Sequence, residues 1–330
     1  MSHITHDVLT AHAVEKVNVP SDKAKKRREQ VNYLRSRLET HIKAHPDYDL
    51  VKLRSSGSTA KHTAIRGTRG SDADVAAYVT AAAVGGTGAD EGELLLWLEA
   101  RCKEVYGATK IADDFRISEH AVGITMHGTG LKIDVAPVLY EGLDNDRGHL
   151  ITRQGDRVLT SVTQHLTFIN SRAAVAGRGY KELIRLLKAW ISHSKWIDDD
   201  FRCKSFLIEL VVAHLWDSGW NGEKLAVDDH PRGFEQVFAY ISRTRLETPV
   251  VFTDYYNASE VVACTDAIQI WDPVNPGNNV ARSYSETDRK RLVARVDECL
   301  DEICWAATAP TKSAANEAWR NLLGPTFGGA

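Results

Sequence analysis

The run Leu53-Arg54-Ser55-Ser56-Gly57-Ser58 is followed, after a polar crossing, by Ser71-Asp72-Ala73-Asp74-Val75-Ala76-Ala77-Tyr78-Val79. Gly57-Ser58 closes an apolar run and offers an anion unhindered backbone N–H groups and a hydroxyl, because glycine permits close backbone approach and a helix start or nest presents its donors there. Such a site suits phosphate. Asp72 and Asp74 stand two apart in a segment of strand composition, so both carboxylates share one face. Like charges side by side repel, and hard oxygen ligands of this kind suit Mg²⁺ completed by substrate phosphates. Taken alone, Asp72-Ala73-Asp74 is equally a solvated strand edge after a Gly-rich turn, since short motifs recur by chance.

A second stretch shifts that balance. In Leu131-Lys132-Ile133-Asp134-Val135-Ala136-Pro137, apolar Leu131, Ile133 and Val135 alternate with Lys132, Asp134 and Ala136. Asp134 therefore projects from the polar face of an otherwise buried strand. Three carboxylates on neighbouring strands beside a phosphate cradle are what two-metal phosphoryl or nucleotidyl transfer needs, with ions about 3.5–4 Å apart clamping the attacking and leaving oxygens.

Gly57-Ser58, Ser71-Asp72-Ala73-Asp74-Val75 and Ile133-Asp134-Val135 resemble the signature of the polymerase-β-like nucleotidyltransferase superfamily. More narrowly, they resemble its branch of oligoadenylate synthases, cyclic GMP-AMP synthase and the bacterial CD-NTases of CBASS anti-phage systems. The resemblance implies an α+β fold: a nucleotidyltransferase core of mixed sheet with helices, followed by a C-terminal α-helical domain. One departure stands out. Lys61-His62-Thr63 intervenes where the family often has glycine before the threonine of its first motif.

With 330 residues the chain has room for two domains, and 43% hydrophobic and 26% charged residues exclude wholesale disorder. The net charge of −3 argues against a generally basic nucleic-acid-binding surface. No run of eighteen apolar residues and no signal-peptide layout occurs, so a cytoplasmic protein with no membrane segment is expected. Its five scattered cysteines contain no Cys-x-x-Cys and read as reduced thiols in or near the core.

Along the chain, a basic run from Lys23 leads into Val31, Leu34, Leu38 and Ile42, the stripe of a long amphipathic helix ending before Pro46. Residues before Pro20 form a short helix or arm. Gly85 to Gly92 is a turn rather than a phosphate loop, because no Lys-Ser/Thr follows. A helix from Glu93 to Tyr106 and short strands at 116–118 and 121–127 precede the strand of Asp134. Residues 141–163 read as polar loop. The expected division is a catalytic core with its N-terminal long helix over 1–165, a helical domain over 166–323, and a flexible tail over 324–330.

In the helical part, Leu183, Leu187, Trp190 and Ile191 form one stripe with Lys188 off it, and Ser205 to Trp216 is apolar nearly all round, hence central. Leu-Ile-Arg-Leu-Leu-Lys-Ala-Trp and Lys-Ser-Phe-Leu-Ile-Glu-Leu extend the resemblance. It implies that Lys188 and Ser205 bind the triphosphate, that Phe206 stacks on the base, and that Lys204 adds a phosphate contact. A compact lysine cation suits phosphate, and an aromatic face stacks on any base. Glu209 anchors a buried polar contact, and Asp272-Pro273 with Asn278-Asn279-Val280 defines a structural turn. Phe327-Gly328-Gly329-Ala330 is similar to CD-NTase ends that a partner related to ubiquitin-activating enzymes conjugates, here through Ala330.

The function implied is nucleotidyl transfer from ATP and other NTPs, dependent on two Mg²⁺ ions (Mn²⁺ substituting) held by Asp72, Asp74 and Asp134, with Gly57 and Ser58 cradling the donor triphosphate. The product is a cyclic di- or trinucleotide messenger for a downstream effector. The alternatives are a linear 2′-5′ oligoadenylate-type synthase activated by RNA and a nucleotide-binding module without catalysis.

Overall fold

The computed structural model describes residues 2–44, 49–67, 73–80, 82 and 92–328. Ser71, Asp72, residues 85–91, Gly329 and Ala330 fall outside these. Two compact units emerge, residues 19–167 and residues 1–18 together with 168–330.

The chain opens with α1 (His6–His12), which runs into a single π-helical turn, Ala13–Val17. This segment packs with the helical unit rather than with the core, contrary to the expected 1–165 division. Leu9 is fully buried, Thr10 Oγ1 donates to Glu182 Oε1 at 2.8 Å, and Arg185 Nε donates to Asn18 Oδ1 at 2.6 Å. Those partners lie more than 160 residues away, beyond what local periodicity can report.

In the core unit, α2 (Ser21–Lys43) buries Val31, Leu34, Leu38 and Ile42, the four positions of its apolar stripe. There follow β1 (Leu50–Ser56), α3 (Gly57–Lys61), β2 (Ala73–Val79), α4 (Glu93–Tyr106), β3 (Phe115–Ile117), β4 (Val122–Met126), β5 (Leu131–Tyr140), β6 (Arg147–Ile151) and β7 (Arg157–Ser161). The strands form one mixed sheet of order β1-β2-β5-β4-β3, with β6 and then β7 added beside β5. β2 and β5 run parallel, and the other pairs are antiparallel. The hairpin β6–β7 replaces the expected polar loop. Its strands bury Gly148, Ile151 and Ser161 among partly covered neighbours, so they carry too little apolar alternation to read as strands.

Val75 and Ala77 of β2, Ile133 and Val135 of β5, and Val122 and Ile124 of β4 pack with the apolar stripes of α2 and α4 in one cluster. Because side chains alternate along a strand, the even-numbered residues of β2 and β5 point to the opposite face. There Tyr78 and Val138 pack with Val162, leaving Asp74 and Asp134 at the other end of the same face. Pro137 falls in the gap between the last β4 pairing, at Val135, and the first β6 pairing, at Val138. A residue without an N–H is tolerated where a strand changes partner.

α5 (Val162–Ala176) carries the change of unit, after Thr167. The helical unit continues with α6 (Arg178–Ile197), α7 (Ser205–Ser218), α8 (His230–Thr244), α9 (Glu286–Thr308) and α10 (Lys312–Leu323). Trp190 of α6 is central, its ring 4.8 Å from Phe238 and 5.7 Å from Phe201. Cys102, Cys203 and Cys299 are buried thiols, while Cys304 is exposed on α9. The chain end is anchored instead of flexible as far as Gly328. Phe327 is fully buried, its ring 5.9 Å from Trp319 and 4.9 Å from His12, and Arg320 Nε donates to its carbonyl. Small neighbours make the segment read as a tail, but one aromatic ring is enough to dock it.

Asp146, at φ 57° in the turn between β5 and β6, is a buried hub. It pairs with Lys52 and Arg54 of β1 and accepts from Thr163 Oγ1 at the start of α5. Burial by itself would raise its pKa, but Lys52, Thr163 and Arg54 outweigh that and hold the carboxyl below its usual range. A depressed folded-state pKa gives stability that is present above the ordinary Asp value of about 3.9 and is lost as pH falls through the folded value. Asp146→Asn should therefore lower the thermal midpoint at pH 7, and the gap from wild type should narrow as pH drops below about 4 in a calorimetric pH series.

Candidate active site

β2 and β5 bring two of the expected acids together. Asp74 and Asp134 are direct Cα partners in the parallel ladder, on strands spaced about 4.8 Å apart in such sheets, with side chains on the same face. Both are only partly buried. Asp72 lies outside the described residues, and among those described no three His, Cys, Asp or Glu side chains gather as a metal-ligating group.

On its other side Asp74 faces Ser56, the last residue of β1 and the N-cap of α3. The next residue, Gly57, has φ +63°, and a Cβ there would lie 1.7 Å from Asp74 Oδ2 and 2.6 Å from its Cγ. Only glycine allows both that backbone turn and that approach. Gly57 and Ser58 form the first turn of α3, where backbone N–H groups lack intrahelical acceptors. The intervening Lys61-His62-Thr63 is absorbed as a helix stop. His62 takes a left-handed φ of 59° as C-cap, and buried Thr63 returns its N–H to Ser58 O at 2.9 Å. The cradle reading thus corresponds to a turn that exposes donors directly beside a carboxylate.

The helical unit carries the other expected contacts. Lys188, read as lying off the apolar stripe, is only 5% exposed, and its Nζ sits 2.5 Å from Glu209 Oε1 on α7. It is buried because α7 closes over that face and supplies the counter-charge. Glu209 accordingly makes a buried polar contact. Lys204 and Ser205, at the N-cap and first position of α7, are exposed, and Phe206 is half-buried. Lys204 Nζ donates to Val280 O at 3.2 Å, and both Lys204 and Arg202 lie against the Tyr284 ring. Burial, then the adjacent guanidinium groups of Arg202 and Arg282, lower the Lys204 pKa. Three cations thus share the start of α7, Arg202 also pairing with Asp288 at 3.2 Å. Arg202 and Arg282 lay outside the sequence reading, since each is isolated in its own motif.

The Asp272–Val280 turn is structural. Asp272 Oδ1 accepts from Val274 N at 2.9 Å, and Asn279 Oδ1 accepts from Ile270 N and Ala281 N. A cluster not foreseen from sequence joins buried Arg172 of α5 to the more exposed Asp217 and Asp254 at 2.6 and 3.0 Å, with the guanidinium 3.7 Å from the Phe168 ring centre.

The residues around Asp74 and Asp134 fit hard divalent cations. Both carboxylates share one face in register, and the absence of a side chain at Gly57 leaves Asp74 room there.

Residues 134–321 match the family model described as 2′-5′-oligoadenylate synthetase 1, domain 2, C-terminus. The chain is 35% identical over 332 residues to a cyclic AMP-AMP-AMP synthase of Escherichia coli (strain MS 115-1), covering 99% of each chain. It is 28% identical over 321 residues to the CBASS oligonucleotide cyclase CdnC of Escherichia coli (strain KTE188), covering 94% of this chain and 93% of the other. Among solved structures, E. coli MS115-1 CdnC with ATP superposes with a TM-score of 0.87 at 36% identity, covering 99% of this chain and 100% of that one. The CdnC:HORMA-deltaN complex gives 0.87 at 35%, with 99% of each covered.

The buried Lys188–Glu209 pair makes a stability prediction. Lys188→Met removes the counter-charge of a buried carboxylate and should cost about 3–5 kcal/mol, whereas Lys188→Met/Glu209→Leu should recover most of it, as read by urea unfolding.

Proposed function

The chain belongs to the CBASS oligonucleotide cyclase family, and from that premise we propose that it joins ATP, alone or with other ribonucleoside triphosphates, into a cyclic oligonucleotide messenger. The observation that carries the chemistry is Asp74 standing opposite Asp134 on parallel strands, with the Gly57 backbone against Asp74. The 35% identical relative, a cyclic AMP-AMP-AMP synthase, favours a cyclic tri-adenylate. That activity, across nearly the whole of both chains, also favours a cyclic product over a linear one and catalysis over binding alone.

In each round a sugar hydroxyl oxygen of one nucleotide bonds to the α-phosphorus of the next, the α–β phosphoanhydride breaks, and pyrophosphate leaves. Asp74 and Asp134, with Asp72, would hold the divalent ions. When bound, Mg²⁺ or Mn²⁺ supplies charge neutralisation at the phosphates and a lowered pKa for the acceptor hydroxyl. Gly57 and Ser58 present backbone donors and a hydroxyl to phosphate oxygens, and positioning of this kind supplies most of phosphoryl-transfer catalysis. On the helical unit, Lys204 and Ser205 are open to phosphate oxygens, Phe206 offers a face to a base, and Lys188 contributes a fixed charge balanced by Glu209.

For regulation, a HORMA-domain protein is supported as partner by the complex solved for the relative. Conjugation at Ala330 is supported by the resemblance of the last four residues alone. No helix among the described residues is long and apolar enough to cross a membrane.

Incubation with labelled ATP and Mg²⁺ or Mn²⁺ should yield pyrophosphate and a phosphatase-resistant product. Asp74→Asn and Asp134→Asn should each lower product formation by at least about a hundredfold while circular dichroism remains unchanged. Undiminished product from either variant overturns that residue's assignment, and a product with phosphatase-sensitive ends points to the linear alternative.

A further inference from the structure

Gly123 stands in the middle of β4, an interior strand, opposite Arg116 on β3 and opposite Asp134 on β5. Glycine weakens a strand interior and is ordinarily retained there for a bulge, a special backbone angle or a close approach. The first two reasons are absent. The β3–β4 and β4–β5 registers run without a shift through this position, and Gly123 is not among the residues with positive φ. A close approach remains. A Cβ on Gly123 would lie 2.9 Å from Asp134 Oδ1, while its next neighbours, Arg116 O at 3.4 Å and Arg116 Cβ at 4.0 Å, are at tolerable contact distances. The sheet has room for alanine, and the Asp134 carboxylate does not.

We infer that Gly123 is a positioning residue for nucleotidyl transfer: its missing side chain keeps open the orientation in which Asp134 serves the divalent cation. The assignment rests on the reading of Asp134 given above. It differs from the role of Gly57, whose positive φ already favours glycine apart from what lies beside it. At Gly123 the backbone makes no such demand, so the carboxylate is what excludes larger residues. A Cβ there can be accommodated by swinging the far end of the Asp134 side chain, an adjustment with little cost to the fold and a direct cost to ligation. Groups that orient a metal ligand typically change metal affinity or activity by about 10–100-fold when altered.

The test compares wild type, Gly123→Ala, Asp134→Asn and Gly123→Ala/Asp134→Ala, each as the full chain. Mn²⁺ binding is read by electron paramagnetic resonance in the presence of a non-hydrolysable ATP analogue, alongside kcat, KM for ATP and the thermal midpoint. Gly123→Ala should keep or raise the midpoint, weaken Mn²⁺ binding about tenfold or more and lower kcat comparably, with KM for ATP unchanged. Wild-type Mn²⁺ binding and kcat in Gly123→Ala, with both lost in Asp134→Asn, overturns the inference while leaving the function intact. Retention of both in Asp134→Asn overturns the reading of Asp134 and the inference with it. If Gly123→Ala lowers the midpoint, the double variant decides. Recovery on removing the carboxylate places the clash at Asp134 and supports the assignment, and no recovery places it in the sheet and overturns it.

Discussion

Two carboxylates held side by side across a parallel pair of strands are the constraint around which the core unit is built. Asp74 and Asp134 repel, and nothing about a β-sheet asks for them there. What keeps the arrangement in place is the opposite face of the same strands. Val75, Ala77, Ile133 and Val135 are locked under α2 and α4, so the apolar core dictates the register and the acids follow from alternation. The placement of both acids is thus fixed by packing on the far side of the sheet and not by anything the acids themselves contribute.

The helical unit solves a related problem with the opposite economy of charge. Lys188 is matched by Glu209 and Arg172 by two carboxylates, Asp217 and Asp254, and each cation ties separate helices or loops together. Such pairs specify which helices pack together more than they stabilise the packing. At the start of α7, by contrast, Arg202, Lys204 and Arg282 share one neighbourhood, although Arg202 also reaches Asp288 at 3.2 Å. Within the helical unit, three cations thus share the start of one helix, while its buried lysine is matched by a carboxylate.

Much of this was legible in the sequence where periodicity and chemistry coincide. The stripe of α2, the extent of α4 and the alternation of β5 are local patterns, and the side on which Asp134 emerges follows from them. What escaped is non-local or sparse. The β6–β7 strands bury too few apolar side chains to show a period. Lys188 lies off the apolar stripe of its own helix and is buried by another. Residues 1–18 are assigned to their unit by contacts with α6 and α8, and Phe327 is held between nearby Trp319 and His12 from the other end of the chain. Gly123 was silent because a strand glycine acquires meaning only once its cross-strand neighbour is known.

The handover of β5 from β4 to β6 at Pro137 has an effect on how the protein fails. With β2 on one side and two different strands on the other, β5 cannot slide by one residue without losing its neighbours on both flanks and turning its acid inward. A slipped register therefore disrupts the β2, β4 and β6 pairings together, not one edge of the sheet. The placement of Asp134 is thus tied to the pairing of the whole sheet and not to β5 alone.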